Sequence, residues 1–204
     1  MSVYLYDEAL VRKIKNWTAN TQVNVYGPEQ TSRMFEVIGD TTDDSPIKLP
    51  LIVLRRNSTV NILNTNKKPL TYDGIKIPEL SSDDKMLKLS AIPINISYQI
   101  DIYCRYLKEA DVLMRSMVFN IINHPTLEIL IPYNNVNIEH NANLILSENI
   151  EDNSDIPERF VPGQFTRMSL NVNVDDAYLW DARPRDNLTV DVNVEMYDYQ
   201  SGEI

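Results

Sequence analysis

The feature that most constrains the fold of this chain is a strict alternation of side-chain type between Ile94 and Tyr106. Every even-numbered position in that range is apolar or aromatic: Ile94, Ile96, Tyr98, Ile100, Ile102, Cys104 and Tyr106. The positions between them are mostly polar: Asn95, Ser97, Gln99, Asp101, Tyr103 and Arg105. Successive side chains of a β-strand point to opposite faces, so the pattern predicts a long strand with one face in the core. A straight strand of this length would reach about 40 Å, so we expect a bend or a bulge in it.

Further strand patterns occur along the chain, and two of them alternate in the same way. Met168–Val174 and Leu188–Met196 place apolar residues at every second position, which predicts two more half-buried strands. Leu51–Leu54 is a continuous apolar run, which predicts a strand buried on both faces. The shorter candidate strands are Gln22–Tyr26, Met34–Ile38, Leu127–Ile131 and Val136–Leu146.

Two segments have the periodicity of amphipathic helices. The first runs from about Tyr4 to Trp17, and its apolar stripe consists of Tyr6, Leu10, Ile14 and Trp17. The second runs from about Lys108 to Asn123, and its stripe consists of Ala110, Leu113, Met114, Met117, Val118 and Ile121. His124–Pro125 ends the second helix, because the residue before a proline disfavours helical geometry.

The connections between these segments are polar. We expect long loops at residues 40–46, 57–89 and 148–158, of which the first and last are candidates to become ordered only on assembly. Asp73–Gly74 is typical of a tight hairpin turn. Residues 177–186 are predicted to connect the last two strands.

These elements predict a single α+β domain over residues 1–204. A mostly antiparallel sheet would have two amphipathic helices packed on its apolar face. Its other face would be polar, with Asn, Asp, Ser and Thr side chains.

Composition excludes several classes of protein. The single cysteine, Cys104, excludes an internal disulfide framework and a cysteine-based zinc site. The five glycines are too widely spaced for a dinucleotide-binding or Walker A loop. A net charge of −10 argues against a surface that grips nucleic acid or an anionic membrane. We expect neither a signal peptide nor a membrane span, because no suitable apolar run is present.

The titratable residues suggest no catalytic, cofactor or metal site. His124 and His140 lack metal-ligand spacing, and they are interpreted as a helix-end residue and a surface strand residue. Cys104 lies on the apolar side of its strand, which predicts a buried, unreactive thiol. The carboxylates cluster in predicted loops, where they are solvated: Asp43, Asp44, Glu148, Glu151, Asp152, Asp155, Asp175 and Asp176.

Aromatic and arginine residues at strand ends are the candidates for contact with a protein partner. These residue types dominate binding hot spots, and binding residues often lie in connections. The candidate interface residues are Arg55, Arg56, Tyr178, Trp180, Arg183 and Arg185. The alternative interpretation is that Trp180 covers the end of the core and that the arginines are simply solvated.

The segment Pro93–Tyr106, with the helix after it, resembles tail-completion proteins of contractile-tailed bacteriophages. In that family a proline opens a long alternating strand, a tyrosine follows five residues later, and an aromatic-x-Arg-Tyr sequence precedes a helix. The residues at these positions are Pro93, Tyr98, Tyr103, Arg105 and Tyr106. The wider layout is also similar, with Lys48–Ile52 and Arg167–Asn171 as matching strands and His124–Pro125 as in the wider tail-terminator group.

The resemblance implies a structural virion protein with a tail-terminator-like fold, no catalysis and no cofactor. Such proteins form a ring, usually a hexamer, on the last disc of a tail tube or sheath, where they end its polymerisation. The implied partners are further copies of the chain, the tail tube or sheath protein, and a neck or head-completion protein. The implied location is the head-proximal end of the tail, after assembly in the host cytoplasm, with no contact with a membrane.

DNA would pass through such a ring without being bound specifically. The net charge of −10 motivates the hypothesis that the wall of the ring is acidic, since like charge would prevent it from holding the DNA. Basic residues along the inner wall would contradict this hypothesis.

Two alternatives remain open. The chain could be a neck or baseplate adaptor of the same machine, with a similar fold and a different neighbour. It could also be a small-ligand-binding or enzymatic α+β domain, which would require a deep pocket with convergent polar groups. A pocket lined by His140 and several carboxylates would favour that second alternative.

Overall fold

The computed structural model describes residues 3–30, 49–63, 70–75, 87–133, 136–154 and 166–181. The two long helices are α1 (Val3–Trp17) and α2 (Leu107–Asn123). The strands are β1 (Asn24–Tyr26), β2 (Leu51–Arg56), β3 (Asn61–Ile62), β4 (Leu70–Ile75), β5 (Leu87–Cys104), β6 (Thr126–Tyr133), β7 (Val136–Asp152) and β8 (Thr166–Asp181).

The strands of the described ranges form one sheet in the order β1-β2-β5-β8-β7-β6, with β3 and β4 also paired to β5. All of the pairs are antiparallel except β1 with β2. The coarse prediction of an α+β chain with a mostly antiparallel sheet is therefore confirmed. The tail-terminator fold stays a prediction.

The strand predicted from the alternation, β5, is the centre of this sheet. It pairs with β8 on one side, and with β2, β3 and β4 in succession on the other. Its pairing with β8 is irregular near its middle, where Ile94 and Ile96 face Ala177 and Val174, although the extra residue is in the partner strand and not in β5 as expected. Two steps along β5 thus correspond to three along β8, which is a β-bulge in β8.

The core lies on the face of β5 that carries the even-numbered residues. Ile96, Ile100 and Cys104 are fully buried there, together with residues of both helices. The residues buried by the helices are Tyr6, Ala9, Leu10, Ile14, Ala110, Met114, Met117 and Ile121. Both apolar stripes predicted from the sequence therefore pack into one core.

The sheet curls around α1, which contacts β1 and β6 at opposite ends of the strand order. Arg12 Nη2 donates a hydrogen bond to the carbonyl oxygen of Glu128 at 3.1 Å, and Lys13 Nζ donates to that of Thr126 at 2.7 Å. At the β1 end, a Cβ on Gly27 would lie 2.8 Å from Cγ2 of Val11. Glycine at that position therefore allows the chain to pass close to α1.

The second face of the sheet is less polar than predicted. Leu51, Val53 and Tyr103 form a small buried apolar cluster on that face, with Tyr26 and Leu49 packed against it. Among the polar residues, Asp101 and Ser169 are buried as well. The polar residues on this face are therefore partly shielded from water rather than solvated.

Several predicted connections are wrong, because strands occupy them. Asp73–Gly74 lies within β4 at an irregularity in its pairing with β5, so it does not form a hairpin turn. The predicted loop 57–89 contains β3, β4 and the first residues of β5. Glu148–Asp152 belongs to β7 after a bulge between Leu146 and Ile150, so the loop 148–158 does not start at 148. The connection 177–186 begins with five residues of β8.

Other predictions lie outside the described residues: the strands Met34–Ile38 and Leu188–Met196, the loop 40–46, and residues 155–158 of the last loop. The remaining predicted strands are present, although β1 begins at Asn24 and β5 ends at Cys104, each two residues inside the predicted end. The second helix ends at Asn123, before His124–Pro125, as expected.

The core face of β5 can be tested by a cavity mutation. Ile100 is fully buried, so Ile100→Ala should lower the free energy of unfolding by about 2–5 kcal/mol in a denaturant titration. Ile145 on β7 is 49% exposed, so Ile145→Ala should cost about 1 kcal/mol or less. Equal losses for the two variants would contradict the assignment of the core face.

Candidate interaction site

The two arginines at the end of β2 serve opposite faces of the sheet. Arg55 and Arg56 are consecutive, so their side chains point to opposite sides of the strand. Arg55 pairs in register with Gln99, and Arg56 pairs with Tyr98. Each guanidinium group consequently meets a different carboxylate.

On the second face, Arg55 belongs to a cluster around the carboxylate of Asp101, which is fully buried. Arg55 Nε lies 3.2 Å from Asp101 Oδ2, and Arg167 donates to Oδ1 from Nε at 3.3 Å and from Nη2 at 3.2 Å. Ser169 Oγ also donates to Oδ1 at 2.5 Å, and Gln99 Nε2 donates at 3.1 Å. We call these five residues the Asp101 cluster.

The Asp101 cluster compensates the cost of burying a carboxylate by surrounding it with charged and neutral donors. Its members come from β2, β5 and β8, so it links three adjacent strands. Tyr103 extends it: Arg55 Nη2 donates to the phenol oxygen at 2.9 Å, and the Arg167 guanidinium lies 5.7 Å from the ring centroid. Of the residues in the sequence resemblance, Arg167 and Ser169 thus contact this carboxylate directly, and Tyr103 contacts the two arginines around it.

On the core face, Arg56 pairs with Asp7 of α1. Arg56 Nη1 donates to Asp7 Oδ2 at 2.5 Å, and the buried hydroxyl of Tyr98 donates to Oδ1 at 2.7 Å. Burial raises the pKa of the Asp7 carboxyl, although Tyr98 and Arg56 act in the opposite direction. Burial, followed by the charge of Asp7, raises the pKa of Tyr98. The pair therefore fixes the first turns of α1 against the sheet.

Both arginines thus have an internal role, and each side chain is still about a third exposed, at 32% for Arg55 and 33% for Arg56. Their role in partner contact stays a prediction.

Tyr178 and Trp180 lie in β8, not in a connection, and they are two residues apart, so they lie on the same face of the strand. Their ring centroids are 5.4 Å apart. The ring of His140 lies 5.5 Å from Tyr178 and 5.1 Å from Trp180, in edge-to-face geometry with both. We call these three residues the aromatic cluster.

The backbone of β8 explains why the aromatic cluster forms. Asp176, in the bulge, has a φ of 58°, and its carbonyl oxygen lies 2.8 Å from His140 Nε2. Beyond the bulge, the backbone N–H of Tyr178 donates to the Tyr6 hydroxyl at 2.7 Å, and that hydroxyl donates to the Tyr178 carbonyl at 3.3 Å. A side chain of α1 therefore occupies the position of a neighbouring strand at Tyr178.

His140, Asp101 and Asp7 are the residues of these sites that sequence reasoning missed. His140 lies in a strand, as predicted, but its side chain is half-buried and packs against two aromatic rings instead of lying open on the surface. Burial lowers its pKa below 6.5, against the opposing effects of the Asp176 backbone and charge. The sequence did carry a signal for this position: His140 has the same parity along β7 as Ile138, Ala142 and Leu144, which are all buried.

The described residues place no nucleophile beside a base. Cys104 is buried as predicted, and burial raises the pKa of its thiol to about 12. A search of the described ranges found no group of three or more His, Cys, Asp and Glu side chains that could hold a metal ion. A cleft of about 490 Å³ between α1 and residues 27–30 is lined by Asp7, Glu8 and Glu29 among others, and His140 is not part of it.

Two candidate interface residues, Arg183 and Arg185, lie outside the described residues. No helix among the described residues is long and apolar enough to cross a membrane. A scan against protein-family models and a search of curated proteins gave no match.

The Asp101 cluster predicts a large effect of removing its one negative charge. Asp101→Asn removes the buried carboxylate that pairs with Arg167, whose side chain is 8% exposed, and should lower the free energy of unfolding by about 3–5 kcal/mol. A matched control is Asp111→Asn, which breaks an aspartate–arginine pair whose side chains are both more than 60% exposed. That change should cost about 1 kcal/mol or less in the same chemical denaturation experiment. A smaller loss for Asp101→Asn than for the control would contradict the structural role of the cluster.

The aromatic cluster predicts a pH-dependent signal from Trp180. In a Trp17→Phe background, Trp180 is the only remaining tryptophan, and protonated His140 should quench its fluorescence with a midpoint below pH 6.5. Because the folded state disfavours the charged imidazole, its contribution to stability should be complete above pH 6.5 and decrease as the pH falls below that value. The variant His140→Gln should remove the fluorescence transition. A midpoint above pH 6.5 would show that the ring is not desolvated.

Proposed function

We propose that the protein is a structural component of a contractile phage tail, which forms a ring at the head-proximal end, ends tail polymerisation and joins the tail to the head. The observation that carries the proposal is the position of the segment that resembles tail-completion proteins. Pro93–Cys104 lies within the central strand of the sheet, and α2 begins at Leu107, directly after Arg105 and Tyr106. The long strand and the following helix thus have the order that the resemblance implies, whereas Pro93 lies inside β5, which begins at Leu87, and does not open the strand.

The five residues of this motif divide into two groups. Pro93, Tyr98 and Tyr103 belong to β5, and the two tyrosines are buried. Arg105 and Tyr106 lie in the turn before α2, and both are exposed, Tyr106 to 67%. The fold has no evident use for an exposed tyrosine whose side chain does not cap the helix. An exposed tyrosine beside an exposed arginine is instead typical of a protein contact.

The edge strand β6 favours contacts through side chains over contacts through strand pairing. The carbonyl oxygens of Thr126 and Glu128 on its outer edge already accept hydrogen bonds from α1. Pro132, further along the same strand, has no N–H to donate. Both features protect a sheet edge from pairing with another chain. A ring built from this chain would therefore use surfaces such as the one around Tyr106 in place of this edge.

The proposal is tested by the mass and shape of the purified full-length protein. Light scattering and negative-stain electron microscopy should show closed rings, with six copies as the expected number. A chain that stays monomeric and binds only a heterologous tail or neck protein would overturn the terminator role and favour an adaptor.

A substitution at the motif turn sharpens the test. Tyr106→Ser should reduce the fraction of chains in rings at least tenfold, because it removes an exposed anchor without disturbing the core. The matched control is Tyr4→Ser, which removes another exposed tyrosine, 42% exposed, from α1. Equal loss of rings in both variants would show that the motif turn is not the contact.

A further inference from the structure

Helix α2 is apolar on two sides. Its inner side contributes Ala110, Met114, Met117 and Ile121 to the core. On its outer side Val112, Phe119 and Ile122 are 53%, 59% and 61% exposed. Large apolar side chains that are exposed together on one helix are typical of an interaction surface.

The spacing on the outer side of α2 is that of a helix–helix contact. Val112 and Phe119 are seven residues apart, and Ile122 follows three residues later, which is the a/d spacing of a heptad seam. The other helix does not share this feature. The exposed positions of α1 include Glu8, Arg12, Lys15 and Asn16, and are mainly charged or polar.

The charges beside this seam are self-complementary. Asp111 and Arg115 form an i,i+4 pair with Nη2 and Oδ2 2.8 Å apart, and their side chains are 61% and 64% exposed. Arg115 lies between Val112 and Phe119 along the seam. When two copies of α2 pack antiparallel about a two-fold axis near Arg115, Val112 of each copy meets Phe119 of the other. The two Arg115 side chains then flank the axis, and each can pair with Asp111 of the other copy.

We propose that the outer side of α2, defined by Asp111, Val112, Arg115, Phe119 and Ile122, is a two-fold contact between two copies of this chain. A two-fold contact uses the same patch on both copies, so the patch must complement itself in shape and in charge. The seam meets this requirement, because its two apolar ends flank a pair of opposite charges. A single helix pair buries little surface, so we expect a weak dimer whose formation depends on protein concentration.

This contact is independent of the proposed ring. It uses none of the candidate interface residues, and it does not use Tyr106 of the motif turn. It would join chains, or rings of chains, in pairs.

Charge reversal tests the contact, with sedimentation equilibrium of the full-length protein as the measurement. The variant Asp111→Arg places two arginines on the seam, and Arg115→Asp places two aspartates there. Each variant alone should dissociate at least about tenfold more readily than the unmodified chain, because like charges then face each other. An equimolar mixture of the two variants should regain the dimer, since each arginine of one chain then faces an aspartate of the other.

Two further variants separate the contact from effects on folding. Phe119→Ser should also weaken the dimer, whereas Ile145→Ala, which removes an exposed apolar side chain from β7, should leave it unchanged. All of the variants should keep the far-ultraviolet circular dichroism of the unmodified protein.

The outcomes for the seam and for the ring are distinguishable. Dimers that dissociate in the charge variants and re-form in the mixture, without rings, would support the seam and overturn the ring. Rings whose mass is unaffected by either charge variant would support the ring and overturn the seam. An unmodified chain that is monomeric at high concentration would overturn both the seam and the ring. A mixture of the two charge variants that fails to regain the dimer would overturn the seam alone.

Discussion

The hydrogen bonding of β5 to strands on both of its sides is the constraint on which the rest of the structure depends. This strand pairs with β8 along one edge and with β2, β3 and β4 along the other, so its register decides what meets on each face. A shift of one residue would exchange its two faces, because the side-chain period of a strand is two. The isoleucines of the core and the carboxylate of Asp101 would then exchange places, which would be prohibitively unfavourable.

Charged residues stabilise the same arrangement on both faces. The carboxylate of Asp101 forms ion pairs with arginines from β2 and β8. The carboxylate of Asp7 forms an ion pair with Arg56 and accepts a hydrogen bond from the hydroxyl of Tyr98. A buried carboxylate without its partners is strongly unfavourable, so each of these pairs disfavours alternative strand registers. The arginines that the sequence suggested as partner contacts thus have a role inside the fold, while about a third of each side chain stays exposed.

The sequence predicted well the features that depend on local periodicity, and poorly those that depend on which strands become neighbours. The alternation from Ile94 to Cys104 and the stripes of both helices report burial directly, and they were located correctly. Asp101 occupies a polar position in that alternation, and only the approach of Arg55 and Arg167 explains its burial.

Two errors in the candidate site have similar causes. The bulge at Asp176 cannot be read from the residues, so Tyr178 and Trp180 were placed in a connection instead of in β8. His140 was interpreted alone, although the parity of β7 places it with Ile138 and Ala142 on the buried side.

A third error lies outside the candidate site. Asp73–Gly74 has a strong local preference for a turn, and pairing with β5 overrides it.

The position of α1 has a consequence for synthesis. This helix is translated before every described strand, but several groups that it binds are far away along the chain: its hydrogen bonds reach across 113 and 116 residues to β6 and across 172 residues to Tyr178. Its docking surface is therefore incomplete until β8 has been translated. Contacts between such distant residues slow folding, because the entropy of closing a long loop must be overcome before they form. A helix that precedes every described strand is thus one of the last elements that can reach its final place, and its apolar stripe lacks a complete docking surface until β8 has been made.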